Sequence, residues 1–301
     1  MKYDKINGRV GFREADHYYG NLDDESIKYT SVTTLIEKYG KEFDKEFVSK
    51  YKALERLIPS DIWKKEKGGI WKLRKIPAEF LEVHDISEEQ LNKTQQLILD
   101  EWAEINRVSC ERGTKIHAKL ENSFYDAGTN ITLKKFGIGG KFTCKKNYND
   151  LDLEYGIYPE YLIYYDNPKI NLHIAGQIDL IVKNGNDIYI IDHKTNKKIE
   201  TKGFYNNSTR TSDKMKFPLN NLDECNYNHY QLQLSTYAWM LQKLNPDFII
   251  KDLILNHYDH DNNNTLYHCS YLKDEVEKML KHFAKQNKLD LQKKKYERIS
   301  Y

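Results

Sequence analysis

Two runs of β-branched and aromatic residues, His173 to Lys183 and Asp187 to Thr195, meet at the turn Asn184-Gly185-Asn186. No other stretch has fewer folding choices. An Asn-Gly step accepts the left-handed conformations a tight turn needs, and the flanking residues favour pleated, half-buried backbone. The pattern predicts a hairpin centred on Gly185-Asn186, with Asp179 opposite Asp192, Ile181 opposite Ile190 and Lys183 opposite Ile188. Side chains alternate along a strand, so Asp179 and Ile181 share a face with Ile190, Asp192 and Lys194. Two carboxylates and one amine then gather at the end of an otherwise apolar face.

Carboxylates on directly opposed residues, with Cβ atoms about 4.5–5.5 Å apart, repel unless something compensates them. A divalent cation does so, and carboxylates, a backbone carbonyl and water suit a hard ion such as Mg²⁺. A metal that acidifies water, beside a lysine that orients that water and offsets phosphoryl charge, is equipment for hydrolysing a phosphodiester. Taken alone, Asp-x-Lys fits a salt bridge at a sheet edge equally well.

The remainder of the chain supplies context. Its 301 residues, 39% hydrophobic and 31% charged, are enough for one large domain or two small ones. The net charge is +2, so attraction to a polyanion must come from local clustering. No apolar stretch approaches a membrane span and the start is polar, which points to a cytoplasmic protein. Cys110, Cys144, Cys225 and Cys269 are scattered, form no Cys-x-x-Cys pair, and read as four reduced thiols.

Ser31 caps a short helix closed by Gly40, and Phe47, Tyr51, Leu54 and Ile58 repeat at helical spacing until Pro59. Ser87-x-x-Gln90 is a capping-box signature for a helix reaching towards Tyr125, with a break near Gly113 and an end at Gly128. Residues 1–100 are thus predicted to form a mostly helical region packed on a core of residues 101–301. Within that core, 128–150 and 196–228 are basic loops, the first a loop or mobile hairpin carrying Lys134, Lys135, Lys141, Lys145 and Lys146. Helix returns at His229 to Leu244, strands at Phe248 to Tyr258 and Thr265 to Leu272, and a last helix at Asp274 to about Leu291. Helices around a central sheet make the class α/β or α+β. His257, Asp259, His260, Asp261 and His268 have the residue types of a transition-metal site, but their spacing favours a turn and strand edge.

Ala175-Gly176-Gln177-Ile178-Asp179 followed by Ile190-Ile191-Asp192-His193-Lys194-Thr195 resembles the core of the PD-(D/E)XK nucleases, specifically the RecB-like branch. Gly113-Thr114-Lys115-Ile116-His117, with Glu121 after it, looks like that family's Gly-x-x-x-His helix, and Gln233-Leu234-Ser235-Thr236-Tyr237 like its Gln-hydrophobic-x-x-Tyr helix. Pro159-Glu160 precedes the hairpin as a glutamate often does in this branch, and Ser31-Val32-Thr33 resembles the segment that opens many such domains. Two departures are Ile178 where proline often precedes the aspartate, and the absence of clustered cysteines.

The resemblance implies an α/β restriction-endonuclease-like core with a central mixed sheet flanked by helices. It implies DNA cleavage with Mg²⁺ or Mn²⁺, without an iron–sulfur cluster, commonly by an exonuclease acting on ends or single strands. A layout similar to phage nucleases would place the protein in a host cytoplasm, with replication or recombination proteins as partners. Asp179 and Asp192 would bind metal with the carbonyl of His193, and Lys194 would position the attacking water. His117 would add a metal contact supported by Glu121, and Glu160 would complete the metal site or its water shell. Gln233 and Tyr237 would steady the lysine or touch the DNA backbone. Lys134, Lys135, Lys141, Lys197, Lys198 and Arg210 would grip phosphates, with Phe204 and Tyr205 placed to stack unpaired bases. A structure- or site-specific endonuclease and a non-catalytic DNA-binding module remain the alternatives.

Overall fold

A computed structural model describes residues 2–145, 152–206 and 210–299, the side chains at 206, 291 and 293–299 excepted. Lys146 and the end of the first predicted basic loop lie outside these residues. The chain forms two compact units, Glu42–Arg112, and Met1–Lys41 together with Gly113–Tyr301.

The larger unit begins with an antiparallel meander of β1 (Lys5–Asn7), β2 (Val10–Arg13) and β3 (Tyr18–Asn21). Within the region predicted to be mostly helical, this first stretch forms strands for a local reason. Gly8 and His17 take left-handed turns, and Val10, Phe12 and Tyr19 bury one side while Gly11 and Gly20 leave room for the Tyr3 ring. Next come β4 (Thr30–Ser31) and the predicted short helix α1 (Val32–Glu37), whose first turn is capped by Ser31 accepting from the Thr34 N–H at 3.0 Å.

The smaller unit is helical throughout: α2 (Lys45–Leu57), α3 (Ser60–Leu73), α4 (Ala78–Val83) and the first part of α5 (Glu88–Ala127). Phe47, Leu54, Ile58, Trp63, Ile70, Leu91 and Ile98 form its core. Both bonds of the capping box are made, Ser87 N–H to Gln90 Oε1 at 2.8 Å and Gln90 N–H to Ser87 Oγ at 3.1 Å. Helix α5 runs through Gly113 without the predicted break, since a lone glycine costs a helix only about 1 kcal/mol. It stops before Gly128, whose φ is +63°. The predicted boundary at residue 100 therefore falls inside a helix, and residues 1–41 belong with the core because β4 hydrogen-bonds into its sheet.

A hairpin of β5 (Ile131–Leu133) and β6 (Ile138–Phe142) follows, carrying Lys134, Lys135 and Lys141 on its exposed parts. Then come β7 (Gly156–Asn167), β8 (Leu172–Asn184), β9 (Asp187–Lys194), the short pair β10 (Tyr205–Asn206) and β11 (Thr211–Ser212), α6 (Asn226–Leu244), β12 (Ile249–Tyr258), β13 (Asn264–Cys269) and α7 (Lys273–Ile299). The central sheet is mixed, in the order β13-β12-β9-β8-β4, with β7 also on β8. β12 runs parallel to β9 and β4 parallel to β8, while the other pairs are antiparallel. Helices α1, α6 and α7 pack into the main core on one face. The end of α5 and the β5–β6 hairpin pack with Ile157, Leu180, Val182, Ile191 and Ile254 in a second cluster. The fold is thus α/β, a central mixed sheet flanked by helices.

Candidate active site

The hairpin has the predicted register: Leu180 pairs with Ile191, Ile181 with Ile190 and Lys183 with Ile188. The ladder stops one step short of the expected Asp179–Asp192 pair. Strand β8 shares one edge between two partners, β4 at Ile174–Ala175 and β9 from Leu180 onwards, so Gly176–Asp179 lies in the fork between them. At the fork the Asp179 carboxylate takes the place of a strand partner, accepting the His193 backbone N–H at 2.6 Å.

The alternation of side chains also slips here. Ile178 and Ile181 both pack in the main core, whereas the intervening Leu180 packs in the second cluster. On the adjacent strand Tyr158 and Tyr161 do the same around Glu160, whose φ is +50°. A non-glycine residue in the left-handed region inside a strand is uncommon, and local irregularities of this kind re-aim side chains. Glu160 is therefore turned inwards from its strand. It is the fifth residue of β7, its side chain only 15% exposed.

The consequence is a cluster drawn from three elements. His117 Nδ1 on α5 lies 3.5 Å from Asp179 Oδ2 and 3.9 Å from Glu160 Oε1. The three residues each offer a ligand atom within 4.8 Å of the others. Gly113, one turn before His117, lets α5 approach the end of β9, since a Cβ there would meet Thr195 Oγ1 at 3.3 Å. Burial alone would pull the His117 imidazole down, but Asp179, Glu160 and Asp192 outweigh it and raise its pKa to about 9. Burial, and then repulsion from Asp192, push the Asp179 carboxyl above the usual carboxylate range. Two half-buried carboxylates with an imidazole, and a third acid close enough to repel, fit a divalent cation.

Asp192 and Lys194 occupy the other half of the site. Asp192 is 1% exposed and its Oδ2 lies 2.7 Å from Lys194 Nζ. Gln233 on α6 joins them, donating Nε2–H to Asp192 Oδ1 at 3.2 Å and accepting from Lys194 Nζ at 3.1 Å. Gln233 also bonds the Tyr237 hydroxyl one turn on, at 3.4 Å. The Tyr237 ring lies over Gly176, where any Cβ would come within 2.6 Å of it. Burial would lower the Lys194 pKa, but Asp192 and Asp179 raise it instead, so the amine stays charged.

Several participants escape a reading of the sequence. Tyr230 lies three residues before Gln233 and its ring sits 4.6 Å from Lys194 Nζ, a helical spacing that could have been noticed. Gln177 donates to Glu160, Asn256 Nδ2 lies 2.8 Å from His193 Nδ1, and Lys5 Nζ lies 3.8 Å from Glu160. Lys5 and Asn256 come from strands remote in sequence, so no local pattern announces them, whereas Gln177 stands two residues before Asp179 on β8. Burial drives the His193 ring down to about 3, which keeps that imidazole neutral. Glu121 does not support His117 in the expected way; it faces Lys5 at 3.9 Å. A cavity of about 420 Å³ opens beside the cluster, lined by Lys5, Phe12, His17, His117, Glu121 and Glu160 among others.

Lys134, Lys135, Lys141, Lys197, Lys198 and Arg210 are exposed, with Lys198 paired to Glu200 at 2.9 Å. Phe204 and Tyr205 are exposed beside them. His257 is held by the Asn196 carbonyl at 2.7 Å, His268 by Asp252, and Asp259 caps its own turn, the turn and strand-edge arrangement expected. None of the four cysteines is in a disulfide. Among the described residues no helix is long and apolar enough to cross a membrane.

No family model and no curated protein sequence matches the chain. Among solved structures it is similar to SSO0001, with 19% identity over 43% of this chain and 50% of that one and a TM-score of 0.26, so it spans half the length of that protein. It is also similar to a candidate exonuclease from Eubacterium rectale, with 10% identity over 87% of this chain and 79% of that one and a TM-score of 0.31.

Proposed function

We propose that the chain is a divalent-metal-dependent DNA nuclease of the PD-(D/E)XK superfamily, in its RecB-like branch, acting as an exonuclease on DNA ends or single strands. The observation that carries this reading is the convergence of His117, Glu160 and Asp179 beside the Asp192–Lys194–Gln233 strap. His117, Glu160, Asp179 and Asp192, with the His193 carbonyl, would hold Mg²⁺ or Mn²⁺, and that ion supplies Lewis acidity to the phosphoryl group and to water. Lys194, kept charged by Asp192, donates to the attacking water or to a non-bridging phosphoryl oxygen. Gln233 fixes the amine on that line, and Tyr237 fixes Gln233. The exposed lysines of the β5–β6 hairpin and of the segment after β9, with Arg210, would bind phosphates along the substrate.

The test uses end-labelled linear and circular single-stranded DNA with Mg²⁺, Mn²⁺ or EDTA. Nucleotides should be released from linear DNA in either metal and not in EDTA, and Asp192→Asn should lower the rate at least about a thousandfold while the protein stays folded. Cleavage of circular DNA would make the enzyme an endonuclease. Metal-independent or Asp192-independent hydrolysis by clean protein would overturn the reading.

A further inference from the structure

The helical unit carries a surface that the active site does not use. From Lys64 in α3 to Lys75 just beyond it, Lys64, Lys65, Lys67, Lys72, Arg74 and Lys75 are all exposed. The single acid among them, Glu66, is engaged by His84 at 2.7 Å. Arg74 is held by Asp44 at 3.3 Å and lies over the Phe47 and Trp71 rings, which leaves five lysines. Among the described residues none of the five has a carboxylate at ion-pair distance.

Helical geometry arranges the surface. Trp63 and Ile70 are buried, and on the opposite side Lys64, Gly68 and Lys72 form one row, with Lys65 and Trp71 beside it. The two ends of the row are about 12 Å apart along the axis at 1.5 Å per residue. Trp71 is 42% exposed. Gly68 and Gly69 sit in the middle of the helix, where glycine is the poorest choice after proline. A Cβ built on either meets nothing within 4 Å, unlike Gly113 and Gly176, whose neighbours forbid or crowd a side chain. Nothing inside the unit explains the two glycines; bare backbone on an outer face permits close approach by something outside it.

We propose that this face of α3 binds the backbone of single-stranded DNA, with the lysines on phosphates, Trp71 stacked on a base and Gly68 admitting the strand close to the helix. A row of cations beside an exposed aromatic ring is complementary to unpaired nucleotides, whereas an acidic peptide has no use for the ring. The choice of DNA as the nucleic acid rests on the function proposed above.

Fluorescence anisotropy of the full chain with labelled oligothymidylate, in EDTA and across a salt series, tests the assignment. The triple variant Lys64→Ala, Lys65→Ala, Lys72→Ala should weaken affinity at least about tenfold and flatten the log K against log salt slope by about 2, its melting temperature unchanged. Gly68→Ala should raise the melting temperature, alanine being the better helix former, and yet weaken binding about threefold, a split that a purely structural glycine would not produce. Parental affinity and slope in the triple variant overturn the proposal. So does an equal loss of binding to polyglutamate, which marks the surface as a site for acidic protein. Absence of DNA hydrolysis together with α3-dependent DNA binding sinks the nuclease reading and leaves this one standing; hydrolysis with α3-independent binding does the reverse.

Discussion

At the scale of single residues, the site is a chain of dependencies that begins at a position with no side chain. Gly176 makes room for the Tyr237 ring, Tyr237 bonds Gln233, and Gln233 bonds both Asp192 and Lys194. Gly176→Ala should therefore displace Tyr237, destabilise the fold by about 1–3 kcal/mol through overpacking and lower turnover at least about tenfold. Tyr237→Phe keeps the ring and loses one long hydrogen bond, so urea unfolding should register less than about 1 kcal/mol. Lys194→Ala removes the charged donor but no proposed metal ligand. Its turnover should fall about a hundredfold or more, with Mn²⁺ affinity by isothermal titration changed far less. Retained turnover would assign Lys194 to the sheet-edge salt bridge that the sequence equally allows.

At the scale of elements, what was legible is what short-range chemistry decides. The turn at Gly185, the ladder beyond Leu180, the Ser31 cap and the Ser87–Gln90 box all came out as the local pattern predicts. Ser87→Ala should cost about 1 kcal/mol in chemical unfolding of the whole chain, because one orphan N–H at the start of α5 loses its acceptor. Where two strands part or a backbone slips, local pattern is silent. Alternation predicts Asp179 opposite Asp192, but β8 forks between β4 and β9 at that step and Glu160 takes a left-handed φ on the neighbouring strand. The meander at Lys5–Asn21 escapes local pattern for a related reason: Gly11 and Gly20 make sense only once Tyr3 lies across them.

At the scale of the whole molecule, the cluster ties folding to protons and to metal. His117 and Asp179 both have raised pKa values, so the folded chain holds protons that the unfolded chain has released, and stability falls as pH rises. The His117 contribution is complete below 6.5 and lost as pH passes about 9. In EDTA the melting temperature should decline across that window, and His117→Gln should flatten the decline. Saturating Mn²⁺ should oppose it, because the ion binds the deprotonated donors and stabilises only the folded chain. A melting temperature indifferent to Mn²⁺ at pH 8 would count against metal binding by this cluster.

The sequence by itself determined the hairpin, its register, and the presence of two acids and an amine near its end, because turn chemistry and period-two burial act between residues close along the chain. Tertiary structure alone decided which groups share a metal-sized space. His117, Glu160 and Asp179 come from a helix and two strands, and Gln233, Tyr230 and Asn256 from elements later still. Their meeting depends on where α5 can approach Thr195, where Tyr237 can lie over Gly176, and where β8 changes partners. Those are questions of packing between distant segments, which no local periodicity encodes.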